Sequence, residues 1–248
     1  MKGTIWCLHG AVGMADDWRA FSVPGWAVKR VDLWRFLDCC PMGLEAFGKA
    51  LNEEARSGNR GAGSGSRNVL LGYSMGGRLA LHALLTGGPW SAAVVVSAHP
   101  GLEEEADRAA RRETDAEWAS RALSGDWAAF LGAWNAQSVL SGGVEGLADR
   151  SRLETRRRSV ARSFMDWSLG HQEALAGRIA EIRCPLFWVA GERDGKFRSL
   201  MEQVVRRVAG PGHPRIESWV APGAGHRVPW DSGDFAGKVG EFLERTVS

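Results

Sequence analysis

Ser74 stands in GYSMG, a G-x-S-x-G pentapeptide that follows the apolar run NVLLGY and precedes the helix-like RLALHALL. Strand, sharp turn and helix in that order make a nucleophile elbow. Small flanking residues let the backbone pass closely while the serine hydroxyl projects above the strand ends. Serine alone is a weak nucleophile or base, so the chemistry needs a histidine and an acid, in the chain order serine, acid, histidine. Asp194 follows the apolar run PLFWVAGE within GERDGKF, and His226 follows WVAPGAG within GAGH. Each falls at the C-terminal end of a predicted strand, where an open α/β sheet places its ligands. Glu192 is the reserve acid; taken singly, Asp194 also reads as a helix N-cap and His226 as a loop histidine. HGAVG, after the first strand, offers the Ala11 N–H together with that of Met75 as donors for a developing oxyanion. His9 reads as a residue that holds this loop in shape. His82, His99, His171 and His213 have no evident partner and read as structural or exposed.

Elements that could hold these groups are visible in the hydrophobic pattern. TIWCLHG, AVKRVDLW, VLLGYS, AAVVVSA, PLFWVAGE and RIESWVAPG are short, rich in β-branched or aromatic residues, and closed by turn residues. Between them LEAFGKALNEEA, GRLALHALL, RSLMEQVVRRVA and FAGKVGEFLERTV repeat apolar residues at three and four. The alternation predicts a mostly parallel sheet of about six strands with helices on both faces. Residues 58–66, GNRGAGSGS, read as a surface connection. With no GK[ST] and a strand after it, this stretch is neither a phosphate loop nor a dinucleotide fingerprint. Residues 101–177 break the alternation with LEEEADRAARRETDAEWASRAL, WAAFLGAWNAQSVL and RLETRRRSVARSFMDWSL, which predict a helical cap inserted into a core of 1–100 and 178–248.

Length and composition narrow the function classes. A chain of 248 residues suits one domain with an insertion. A net charge of +2, with 24% charged residues, supplies no strong field for nucleic acid or an anionic membrane, so any anion recognition has to be local. Cys7, Cys39, Cys40 and Cys184 lack a metal-ligand spacing and read as reduced thiols, and no metal or other cofactor is implied. MKGTIWCLHG lacks a signal-like apolar stretch, and no run approaches ~18 apolar residues, which points to a soluble cytoplasmic protein. Oligomeric state is not readable.

HGAVG, GYSMGGR, GERD and GAGH in this order, with an insertion before GERD, resemble the α/β-hydrolase fold over essentially the whole chain. The usual antiparallel strands before the HG strand have no room, since TIWCLHG begins at residue 4, so a shortened sheet is expected. More narrowly, GYSMGGR, VSAHPGLEEEADRAARRETDAEW, FLGAWNAQSVL, GERDGKFR and GAGHRV resemble the 2-succinyl-6-hydroxy-2,4-cyclohexadiene-1-carboxylate synthases of menaquinone biosynthesis. The resemblance implies a lyase that removes a proton beside a ketone and eliminates pyruvate from a carboxylated, enolpyruvyl-bearing ring. It implies substrate contacts from Tyr73, Arg78, Arg111, Trp134 and Arg152, with Arg156 a rival for the last; arginine's planar fork suits carboxylates. The sequence departs from the family at VDLWRFLDCCPMG, where Trp34, Phe36, Cys39 and Cys40 replace an Asp-Leu-Pro-Gly-His-Gly run beside the site. Three functions follow as expectations: the pyruvate-eliminating lyase, an ester or thioester hydrolase on a small carboxylic substrate using the same triad, and a non-catalytic binding protein on the same fold.

Overall fold

The computed structural model of the protein describes residues 1–59, 67–140, 147–208 and 216–247; most of the Gly-rich connection at 58–66, and His213, lie outside them. The chain runs β1 (Gly3–Leu8), β2 (Trp26–Val31), α1 (Leu44–Asn59), β3 (Arg67–Tyr73), α2 (Met75–Leu85), β4 (Trp90–Val96). It continues α3 (Glu105–Ser124), α4 (Trp127–Asn135), α5 (Arg157–Asp166), β5 (Leu186–Gly191), α6 (Gly195–Val208), β6 (Ile216–Ala221), α7 (Val228–Asp231), α8 (Phe235–Thr246). The strands form one sheet in the order β2-β1-β3-β4-β5-β6. All five pairings are parallel, so the described sheet is wholly rather than mostly parallel.

A parallel sheet is covered on both faces, which is why its strands read as near-continuous apolar runs. Along β5 the side chains alternate between two cores. Leu186, Trp188 and Ala190 belong to the core that also holds Met201 and Val204 of α6 and, further across the sheet, Leu44, Phe47, Leu51 and Ala55 of α1. Phe187 and Val189 meet Phe235, Val239, Phe242 and Leu243 of α8 on the other side, with Phe187 stacked on Phe242 at 5.1 Å. The spacing of three and four along α1 puts its apolar residues on one stripe, and each fully buried Leu or Phe there contributes about 1.5–3 kcal/mol.

The strand order positions the site. β2 lies on one side of β1 and β3 on the other, so the connections leaving β1 and β3 diverge and open a crevice at their C-terminal ends. The HG loop and Ser74 both lie there.

Between β4 and β5 the described residues form helices and 3-10 turns without a strand. Trp118, Phe130, Trp134 and Phe164 pack α3, α4 and α5 together. The chain leaves β4 through His99-Pro100-Gly101-Leu102. Gly101 has φ +115°, and a Cβ there would overlap the Glu173 carbonyl. Beside it Leu175 N–H donates to the Pro100 carbonyl at 2.6 Å. The glycine of HPGL is therefore a backbone requirement at the crossing where this helical segment leaves and returns. Among the described residues no helix is long and apolar enough to cross a membrane.

Candidate active site

β3 ends at Tyr73 and α2 begins at Met75, leaving Ser74 to make the turn alone at φ 52°, ψ −113°. Such a conformation is strained for a residue with a Cβ. It is held by the Ser74 N–H bond to Val96 O (2.8 Å) and by Arg78 N–H donating to Ser74 O (3.1 Å). The flanking glycines allow it: a Cβ on Gly72 would overlap the Gly76 carbonyl, and one on Gly76 would overlap the carbonyls of Leu8 and His9.

The two later loops converge on this hydroxyl. His226 Nε2 lies 3.0 Å from Ser74 Oγ, and His226 Nδ1 lies 2.7 Å from Asp194 Oδ2. His226 and Asp194 are both buried. With Nδ1–H donating to the carboxylate, Nε2 is left to accept the serine proton. Asp194 immediately precedes α6, and its other oxygen faces the Phe197 N–H at 3.5 Å, so the N-cap position and the histidine contact belong to the same residue. Glu192 instead accepts from Gly223 N–H at 2.8 Å and braces the loop before His226. Phe197 covers the imidazole at 4.4 Å between ring centres.

The HG loop is built from its neighbours. Gly13 N–H closes a turn onto Gly10 O at 3.0 Å, with Ala11 and Val12 between them and Val12 at φ 51°. Among the described residues the Ala11 N–H has no hydrogen-bond partner, and Met75, as the first residue of α2, has an N–H with no carbonyl one turn back. His9 holds the loop as expected: Nδ1 lies 2.9 Å from Gly10 O, and Nε2 accepts from Leu33 N–H at 3.3 Å. Burial lowers its pKa to about 4, so the ring is neutral at pH 7. Trp34, from the stretch that departs from the family run, donates its indole N–H to Gly13 O at 2.9 Å and lies beneath the loop. Phe36 packs on Phe47, while Cys39 and Cys40 are exposed.

Tyr73 is buried beside these residues, 5.6 Å from His226 and 4.9 Å from Trp230 between ring centres, and burial pushes its phenol well above the usual range. Together with Ala11, Trp134, Trp230, Arg150 and Arg227 it lines a cavity of about 30 Å³. A larger concavity, about 1090 Å³ around Thr86, Trp90 and Cys184, involves the start of β4 at the opposite end of the sheet.

The expected arginines are distributed otherwise. Arg78 is buried and donates to Gln172 Oε1 (3.1 Å) and Trp167 O (2.8 Å), tying α2 to the segment after α5. Burial, and then the charge of Arg111, lower its pKa to about 9. Arg111 pairs with the buried Asp115 at 2.9 Å. Arg152 is 63% exposed and faces Asp16 at 3.4 Å. Arg156 lies 3.0 Å from Asp38 and 3.4 Å from Asp32. Trp134 both packs on Trp118 and lines the cavity. His82 and His99 are buried, with pKa lowered to about 4 and about 3 mainly by burial. His171 is exposed.

Residues 7–237 match a family model described as the alpha/beta hydrolase family. The chain belongs to that family. It is 34% identical over 139 residues to the 2-succinyl-6-hydroxy-2,4-cyclohexadiene-1-carboxylate synthase of Salmonella arizonae, covering 54% of this chain and 55% of that protein. The synthase of Salmonella newport matches at 33% with the same coverage. The chain thus spans about half the length of the curated relatives it matches. Solved structures share the fold: MenH from S. aureus has a TM-score of 0.79 at 20% identity, over 100% of this chain and 96% of that one. A malate-bound thermophilic esterase from Thermogutta terrifontis has a TM-score of 0.74 at 18% identity, over 99% and 91%.

Sequence reasoning passed over Asp17, Arg150 and Arg227. Asp17 accepts both arms of Arg150 (2.6 and 2.8 Å), Met14 N–H (2.8 Å) and Ala148 N–H (3.1 Å), joining the HG loop to the segment before α5. No local pattern marks Asp17 or Arg150, but Arg227 directly follows His226 and that adjacency was available as a signal.

Proposed function

We propose that the protein is a pyruvate-eliminating lyase acting on 2-succinyl-5-enolpyruvyl-6-hydroxy-3-cyclohexene-1-carboxylate in menaquinone biosynthesis. The observation that carries this reading is the hydrogen-bonded row Ser74, His226, Asp194 beside an arginine-lined cavity. The 139-residue likeness to named synthases supports it. Ser74, with its proton drawn toward His226 Nε2, removes the proton from the carbon beside the succinyl ketone. The Ala11 and Met75 N–H groups stabilise the enolate oxygen. As the electron pair returns through the ring, the bond to the enolpyruvyl oxygen breaks. The departing enolate takes a proton on its methylene carbon and becomes pyruvate. Asp194 keeps the imidazole in the tautomer that accepts from Ser74. On this reading residues 101–177 are the cap, the reaction needs no cofactor or macromolecular partner, and it belongs to the cytoplasm.

The purified protein should release pyruvate from this substrate, followed by coupled reduction to lactate, and Ser74→Ala should lower the rate on the order of 10³-fold or more. A wild type without pyruvate release sinks the reading. The second reading, a hydrolase of small carboxylic esters or thioesters, is favoured by the already assembled serine–histidine hydrogen bond, which acyl transfer requires. Burst kinetics with activated esters and labelling of Ser74 by a fluorophosphonate would establish it in place of the lyase.

A further inference from the structure

Two arginines line the cavity beside Tyr73, and their situations differ. Arg150 is consumed: both arms of its guanidinium lie on the buried Asp17 carboxylate. Arg227 has no such partner; among the described residues no carboxylate lies within 4.0 Å of it. Its recorded hydrogen bond is from Nη2 to the neutral side-chain oxygen of Asn135, at the end of α4, at 3.2 Å. A guanidinium carries five donors. A half-buried one facing a single neutral acceptor is under-used. Of the charged side chains, Arg227 acts most strongly on the Tyr73 hydroxyl, so its charge bears directly on the residue before Ser74. Being next to His226, it is carried by the same short loop that orients the imidazole, and that loop is fixed by Gly225 N–H donating to Asp231 (2.8 Å) and by the triad bonds.

We propose that Arg227 binds a carboxylate of the substrate at this cavity, leaving Asn135 as the carboxylate arrives. The inference rests on the carboxylate-bearing substrate class of the lyase reading and names the residue that recognises it. The exchange favours the ligand, because a charge-assisted, two-armed contact replaces a single bond to an amide. The space itself, about 30 Å³, is too small for a carboxylated ring, so the cavity must widen as the substrate arrives, and the exchange at Arg227 is one part of that widening. Arg152 and Arg156 face Asp16, Asp32 and Asp38 and do not line this cavity, so they do not compete for this role.

Calorimetric titration with succinate tests the proposal without requiring turnover. Arg227→Gln should weaken binding about 10- to 100-fold, the loss expected for a hydrogen-bonded charge. Arg206→Gln, the same charge change on the exposed side of α6, should bind like the wild type. With the enolpyruvyl substrate, Arg227→Gln should raise KM by a similar factor while kcat is largely kept. Equal binding by wild type and Arg227→Gln, equal weakening by both glutamine variants, or no succinate binding by the wild type would each overturn the proposal. Should Arg227→Gln fail to fold, Arg227→Lys decides, since a point charge without the fork should bind succinate several-fold more weakly and unchanged binding overturns the idea. Arg227-dependent succinate binding by a wild type that releases no pyruvate would refute the lyase and leave the anchor standing.

Discussion

Asp17→Asn is the sharpest perturbation of the scaffold around the site. Asp17 is 3% exposed, and its two oxygens accept four hydrogen bonds: Oδ1 from Arg150 and Ala148, Oδ2 from Arg150 and Met14. Asparagine keeps the shape but turns one oxygen into a donor, so two bonds are lost and an NH₂ group faces N–H groups. Arg150, whose side chain is 17% exposed, is left with a charge that no longer has a buried counterion. Breaking one partner of a buried pair costs about 3–5 kcal/mol, and the residual exposure of Arg150 places this case near the lower end, about 3 kcal/mol. For a chain of this length that is a fall of about 6–12 °C in Tm. Urea denaturation followed by circular dichroism should show it. Arg150→Gln should be comparably damaging, and the double variant should recover at least about 1.5 kcal/mol of the summed losses. The Met14 bond anchors the loop that carries Ala11, so activity should fall along with stability. A loss under about 1 kcal/mol for Asp17→Asn, or additivity within about 0.5 kcal/mol in the cycle, would refute the claim that this fork joins the HG loop to the segment before α5.

Two further outcomes follow from the elbow and from the buried histidines. Ser74→Gly removes the Cβ from a backbone at φ 52°, ψ −113°, whereas Ser74→Ala keeps it. Both should be inactive, and thermal melting should place the glycine variant up to about 1 kcal/mol above the alanine variant, the strain outweighing glycine's chain-entropy cost. His9, His82 and His99 have pKa values lowered by burial to about 4, 4 and 3 from 6.5. On acidification the unfolded chain takes up these protons before the folded one does. Stability is therefore full above about pH 6.5 and falls between pH 6.5 and 4, each histidine adding up to about 1.4 kcal/mol per pH unit. Urea titrations at pH 7, 6 and 5 should show this slope, and His9→Asn should flatten it by about one histidine's share; an unchanged slope would mean that His9 takes up its proton equally in the folded and unfolded states.

The sheet and the meeting of Ser74, His226 and Asp194 were legible because each rests on local pattern. Apolar runs closed by Gly or Ser mark parallel strands that are buried on both faces, and the ends of three of those runs carry Ser74, Asp194 and the loop to His226. The glycines of GYSMG likewise announce backbone contacts that the fold makes. The partners of the arginines were not legible, since a guanidinium on a long stem goes to whichever acceptor the tertiary structure leaves within reach. Arg111 finds Asp115 one turn away on its own helix, and Arg78 reaches across to Trp167 and Gln172, 89 and 94 residues further along.

Arg150 and Arg152 show how finely this is decided. They lie in one 3-10 turn, Arg150–Arg156, where three residues complete a turn and positions two apart point some 120° away from each other. One therefore meets the buried Asp17 at the cavity and the other meets Asp16 in solvent, although both acids are neighbours in the 3-10 helix Ala15–Ala20. Because the inner pair is already neutral, a carboxylate arriving there would have to displace Asp17, a ligand with two further backbone bonds of its own. Arg227, facing only an amide, presents no such competitor. If the substrate's charge is met at this cavity, it is Arg227, rather than Arg150, that can meet it without first breaking a buried ion pair.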